Sequence, residues 1–239
     1  EKRDVKIEVT NRSNEEFKIN LLPNQLIQVE NESFLLLKNE SKNVQATLQI
    51  PEIYDASTPY YLKEKGTLGM YQVKNKTLTG QPESEPEFIV RAFIELQGIR
   101  LYKDIPIIHK RTDPVRGEVN EPFHIIPEIA VSIENPVYVF SGNAAQPIQV
   151  TIKANKKIEK GSLELCHPDG WKLTPTEYTF SNLEKGEEKI YTFIVQPPKD
   201  ASRGLISGLV KVGSKSYSKE VIKIDYDHIP DQQLVRNNE

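Results

Sequence analysis

The stretch FIVRAFIELQGIRL, residues 88–101, decides the fold class. Phe88, Val90, Ala92, Ile94 and Leu96 fall on one face of an extended chain, because successive side chains of a strand point to opposite sides. Gln97-Gly98 then separates this run from Ile99–Leu101, the two-residue spacing of a β-hairpin. The same period extends outward. Upstream, residues 5–9, 17–20 and 44–50 read as strands. Downstream, Ile129, Val131 and Ile133 alternate, as do Ile148, Val150 and Ile152. Leu163 with Leu165, and Trp171 with Leu173, flank a turn at Pro168-Asp169-Gly170. Residues 190–195 are apolar on both faces apart from Thr192, which suits a central strand. Residues 205–212 turn at Gly213-Ser214, a Gly-X pair suited to a type II′ hairpin. A last strand is expected over 221–226, leading into a polar tail.

Strands recurring about every ten residues, with turn residues between them, are the pattern of an all-β sandwich. Sixteen prolines spread between the runs argue against helices. A chain of 239 residues accommodates two domains, and residues 112–127, rich in Pro, Gly and charge, have no clear period. The expected architecture is two tandem immunoglobulin-like β-sandwich domains. The first spans 1–118 with a long connection inserted at about 51–86; a linker follows at 119–127, the second domain at 128–230 and a tail at 231–239.

Charged residues make up 27% of the chain, both signs are mixed, and the net charge is −3, so no basic face is offered to nucleic acid and no polybasic anchor to a membrane. The longest aliphatic run is the four residues 34–37, too short for membrane insertion. The chain opens at Glu1 rather than Met, which is expected of a trimmed or mature product with its targeting segment removed. Cys166, the single cysteine, makes no internal disulfide and excludes multi-cysteine zinc sites. The sequons at Asn11-Arg12-Ser13 and Asn75-Lys76-Thr77 are read as chance.

Neither His109, His124, His167 nor His228 lies three or four residues from another histidine, so no paired metal motif exists. Cys166 and His167 are neighbours, but adjacent strand residues face opposite ways and would not form a nucleophile–base pair. Asp225, Asp227 and Asp231 with His228 form an acidic cluster that could offer oxygen ligands to calcium, yet it reads better as a solvated strand end. No catalytic, cofactor-binding or metal-ligating residue is therefore expected. Tyr54, Tyr60, Tyr61 and Tyr71, in the long connection, are the candidate surface, either stacking on a glycan or docking a neighbouring domain. Trp171 is expected in the core of the second sandwich.

Several words carry a resemblance. Residues 59–62 (PYYL), 66–71 (GTLGMY), 112–118 (TDPVRGE) and 224–230 (IDYDHIP) resemble a region downstream of the catalytic domain in bacterial PIG-L/LmbE-like deacetylases. The second half resembles the NPCBM-associated sandwich domain of α-galactosidases, through Pro168-Asp169-Gly170-Trp171 followed by Lys185-Gly186-Glu187. Arg111 departs from the first pattern, which has an aromatic residue before Thr-Asp-Pro. The deacetylases hold zinc with an H-x-D-D motif; His167-Pro168-Asp169-Gly170 resembles part of it, but glycine replaces the second acid and the segment reads as a turn. No zinc ligand is carried over. The resemblance implies a non-catalytic accessory module of a larger exported N-acetylglucosamine deacetylase-like protein, periplasmic or extracellular, partnered by the catalytic domain of the same chain. A glycan-binding module and a structural spacer or adhesion-type pair are the alternative expectations.

Overall fold

The computed structural model describes residues 1–224, 226 and 232–238. The chain divides into two compact units, residues 1–55 with 84–125 and residues 56–83 with 126–239. Every strand pairing among the described residues is antiparallel, and short 3-10 turns are the only helical elements. The protein is all-β.

The first unit runs through β1 (Lys2–Thr10), β2 (Phe17–Leu22), β3 (Ile27–Val29), β4 (Ser33–Leu36), β5 (Ser41–Gln49), β6 (Ile89–Leu96), β7 (Ile99–Pro106), β8 (Ile108–Asp113) and β9 (Gly117–Pro122). One sheet has the order β1-β5-β3 and the other β4-β2-β6-β7. Their alternate residues meet in a single core that includes Ile19, Leu21, Leu36, Leu48 and Val90. Each such buried aliphatic side chain contributes about 1.5–3 kcal/mol relative to exposure. Residues 88–101 form the expected hairpin. Leu96 pairs with Ile99, and Gln97 (φ 48°) and Gly98 (φ 82°) both take positive φ, as a type I′ turn requires.

The region read as an aperiodic boundary is different. Residues 108–122 form the β8–β9 ribbon, so the expected linker at 119–127 begins inside a strand. Charged rather than apolar side chains meet across the backbone ladder of this ribbon. Arg111 Nε donates to Glu121 Oε1 at 2.9 Å, and Lys110 pairs with Glu118 at 2.6 Å. Asp113 Oδ1 accepts from the backbone N–H of Val115 and Arg116, each at 2.8 Å, and so closes the turn. These backbone hydrogen bonds, followed by Arg111, hold the Asp113 carboxyl below its usual range although desolvation opposes them.

The second unit contains β10 (Ile129–Ile133), β11 (Gln146–Ala154), β12 (Ile158–Cys166), β13 (Lys172–Thr174), β14 (Glu177–Leu183), β15 (Glu188–Gln196), β16 (Ser207–Val212), β17 (Lys215–Tyr217), β18 (Lys219–Ile224) and β19 (Gln232–Asn237). Sheets of order β10-β11-β15-β13 and β14-β12-β16-β17 enclose a core including Ile148, Ile152, Leu163, Leu183 and Phe193. Val212 pairs with Lys215, and of the two residues between them only Gly213 has positive φ (58°), the pattern of a type II′ turn. β15 is an interior strand as expected, but only one of its faces is buried: Phe193 and Val195 are in the core while Ile190 and Ile194 are exposed.

Two further differences concern the C-terminal end. The strand expected over 221–226 is β18, and the stretch expected as a polar tail forms β19, paired with β18 from Lys219↔Asn237 to Ile224↔Gln232. Asn238 then enters the sandwich. Its side-chain amide donates to Val131 O (3.1 Å, β10) and Gly208 O (2.9 Å, β16), and its Oδ1 accepts from Gly208 N at 3.2 Å. A polar terminus is thus retained by hydrogen bonds that its composition does not announce.

The long connection read at 51–86 divides between the units, residues 56–83 grouping with the second. It carries 3-10 turns at Tyr60–Leu62 and Lys76–Leu78 and a bridge between Thr67 and Met70. Lys219 Nζ donates to Thr58 Oγ1 at 3.2 Å.

Candidate functional site

The four tyrosines do not share one environment. Tyr54 belongs to the first unit and packs on Phe88, with ring centroids 5.6 Å apart. Burial, followed by Glu87 and Asp55, raises its pKa. Tyr60, Tyr61 and Tyr71 lie in the second unit and form a chain of edge contacts, each step 5.3 Å between centroids. The Tyr60 hydroxyl donates to Gln81 O at 2.9 Å, which pins the 3-10 turn to the far end of the loop. Tyr71 is exposed, and Leu68 and Met70 beside it stand open to solvent.

A concavity not expected from the sequence lies in the second unit. It is a cleft of about 890 Å³ built from three segments. The first is 134–140, which leaves β10 in extended form with Val137 and Val139 facing out and Tyr138 and Phe140 packed toward the core. The second is the turn 168–171, where Gly170 takes φ 85° and Trp171 N–H meets Pro168 O at 3.4 Å. The third is 197–206, which joins β15 to β16. Glu220 and Arg236, ion-paired across β18 and β19, and Asn238 complete the lining.

Trp171 is therefore not one of the fully buried core residues. It lies half-buried at the edge of the core, its ring 5.1 Å from Phe140 at 82°, and its indole N–H donates to Ser202 Oγ at 3.4 Å. The turn precedes it directly: Gly170 takes the left-handed region beside Pro198, and Trp171 follows at the margin of the core. The cleft is lined by three acids (Glu134, Asp200, Glu220) and three bases (Lys199, Arg203, Arg236), so its formal charge cancels.

The remaining candidate residues are dispersed. His109 lies on the ribbon beside Glu121 (3.3 Å), and His124 is half-buried in the first unit, where desolvation lowers its pKa against an opposing Glu87. His167 is exposed, its Nδ1 2.9 Å from Pro168 O, and Cys166 is an exposed free thiol. His228 and the Asp225, Asp227, Asp231 cluster lie outside the described residues. Among the described residues, no group of three or more His, Cys, Asp or Glu is placed to hold a metal ion. No helix of the described residues is long and apolar enough to cross a membrane. The Asn11 sequon is structural. Asn11 is buried, its amide donating to Glu15 O (2.8 Å) and Leu37 O (2.9 Å).

The cleft lies among loops that leave the sheets of the second unit, and loops carried on a rigid sheet scaffold are common places for binding residues. Residues 145–211 match the family model of the NPCBM-associated, NEW3 domain of alpha-galactosidase. That domain is a non-catalytic accessory domain of carbohydrate-active enzymes. The matched span runs from the start of β11 into β16 and contains both the Pro168–Trp171 turn and the Lys185–Glu187 segment. No curated protein matches the chain.

Proposed function

We propose that the chain is a non-catalytic accessory region of a larger exported enzyme acting on amino-sugar substrates, of the N-acetylglucosamine deacetylase type. The match over residues 145–211 to an accessory domain of carbohydrate-active enzymes carries this reading. The words at 59–62, 66–71 and 112–118, all outside that span, support the deacetylase attachment by their resemblance to PIG-L/LmbE-like proteins. Their structures fit a packing role: 112–118 is the Asp113-capped turn of a ribbon, and 59–71 is the tyrosine cluster. In this reading the exposed Leu68, Met70 and Tyr71 dock the catalytic domain, and the compartment is periplasmic or extracellular.

The test uses the parent protein with and without this region. Deletion is expected to lower the thermal midpoint of the catalytic domain or its rate of deacetylating N-acetylglucosamine oligosaccharides. Leu68→Ser with Met70→Ser is expected to reproduce part of the loss. A deletion that leaves both stability and rate unchanged refutes the role.

A further inference from the structure

We infer that the cleft of the second unit binds a neutral oligosaccharide chain. The inference rests on the accessory reading above and names a ligand site that the reading does not require.

Charge is the first argument. Three acids and three bases line the cleft, so it offers no net attraction to a phosphate, a polyanion or a polycation. Its volume of about 890 Å³ falls within the roughly 300–1,000 Å³ of small-ligand pockets.

The wall chemistry is the second. A sugar ring presents apolar C–H faces and a rim of hydroxyls, so it needs aromatic side chains next to unspent donors and acceptors. Tyr138, Phe140 and Trp171 supply the aromatic part and are held by packing against the core, so little ordering is needed on binding. The Tyr138 hydroxyl accepts from Asn135 N and Nδ2 at 3.4 Å, and Ser202 Oγ accepts from Trp171 Nε1. Each hydroxyl therefore keeps its own proton to donate. Among the described residues, Asp200 and Arg203 have no ion pair, which leaves a carboxylate and a guanidinium for ligand hydroxyls at the same mouth.

The third argument excludes the main competitor. An extended peptide could add a strand only along a wall with regular N–H groups, but Pro136 stands in one wall and Pro197-Pro198 in the other.

Trp171 is the single tryptophan of the chain, so emission excited at the red edge, where the ten tyrosines do not absorb, reports on this cleft. The whole 239-residue protein is titrated with neutral tetramers of N-acetylglucosamine and of galactose. The comparison ligands are deacetylated glucosamine tetramer, oligogalacturonate and a proline-rich peptide. A saturable change in Trp171 emission with at least one neutral tetramer is expected, with weaker binding of the three comparison ligands. Tyr138→Phe and Ser202→Ala should each weaken binding ~5-fold, the equivalent of one hydrogen bond, without moving the urea transition. Leu35→Ala, at an exposed position of β4 in the first unit, should leave the titration unchanged. No emission change with either neutral tetramer through the millimolar range overturns the inference. So does tighter binding of the peptide or a charged sugar, or unaltered affinity in both hydroxyl variants. Because the accessory role is read from deletion in the parent, a flat titration alongside a deletion phenotype removes the ligand and leaves the role standing.

Discussion

Asn238→Ala should destabilise the second unit far more than its position one residue beyond the last strand suggests. The side chain is 3% exposed and bridges the two sheets, donating to Val131 O on β10 and Gly208 O on β16 while accepting from Gly208 N. Alanine leaves three backbone groups without that partner. A buried unsatisfied group costs about 1–3 kcal/mol, and the cleft beside Asn238 lets water reach the site, so the lower figure applies and the sum is ~3 kcal/mol. With a urea m-value of ~2 kcal/mol/M, the midpoint should fall by ~1.5 M. Trp171 lies in the same unit, so its fluorescence isolates this transition from that of the first unit. Asn238→Asp supplies the control. The new carboxyl faces two carbonyl oxygens in a buried position, which disfavours its charged form and raises its pKa above the unfolded ~3.9. The folded state then binds more protons than the unfolded state. The deficit of this variant relative to wild type should therefore be largest at neutral pH and narrow as the pH falls toward ~4. A midpoint shift below ~0.3 M for Asn238→Ala would refute the bridging account.

Two other outcomes follow from the first unit. Burial lowers the His124 pKa, with Glu87 opposing, so below the unfolded value of ~6.5 the unfolded state takes up a proton that the folded state resists. Stability should fall as the pH drops below ~6.5, and His124→Gln should flatten that slope; an identical slope in the variant would count against it. Gly98 sits at φ 82° in the β6–β7 turn, so Gly98→Ala should cost about 1 kcal/mol and lower the thermal midpoint followed by circular dichroism. An unchanged midpoint would show that the turn relaxes to another type.

The strands that alternate strictly were legible because one face of each is buried by the sheet opposite. Residues 88–101 needed no tertiary information: five apolar residues at period two and a Gln-Gly pair specify a strand, a turn and a return. The β8–β9 ribbon was not legible, because Arg111, Glu121, Lys110 and Glu118 pair across it by charge, and charged residues in sequence read as solvated chain. β19 was hidden for a related reason: a short polar segment declares itself a strand only when its partner β18 and the Asn238 amide sites are in place.

The candidate surface divided in the same way. Tyr54, Tyr60, Tyr61 and Tyr71 were found as aromatic density in one long connection, yet the fold assigns Tyr54 to one core and joins the other three elsewhere. The cleft gave little sign of itself, since its walls come from 134–140, 168–171 and 197–206 and no linear window holds them together. By itself the sequence determined the all-β class and the strands whose burial imposes a period of two. Tertiary structure decided where polar and loop residues meet, because hydrogen bonds and clefts depend on distance in space, and that distance leaves no period in the chain.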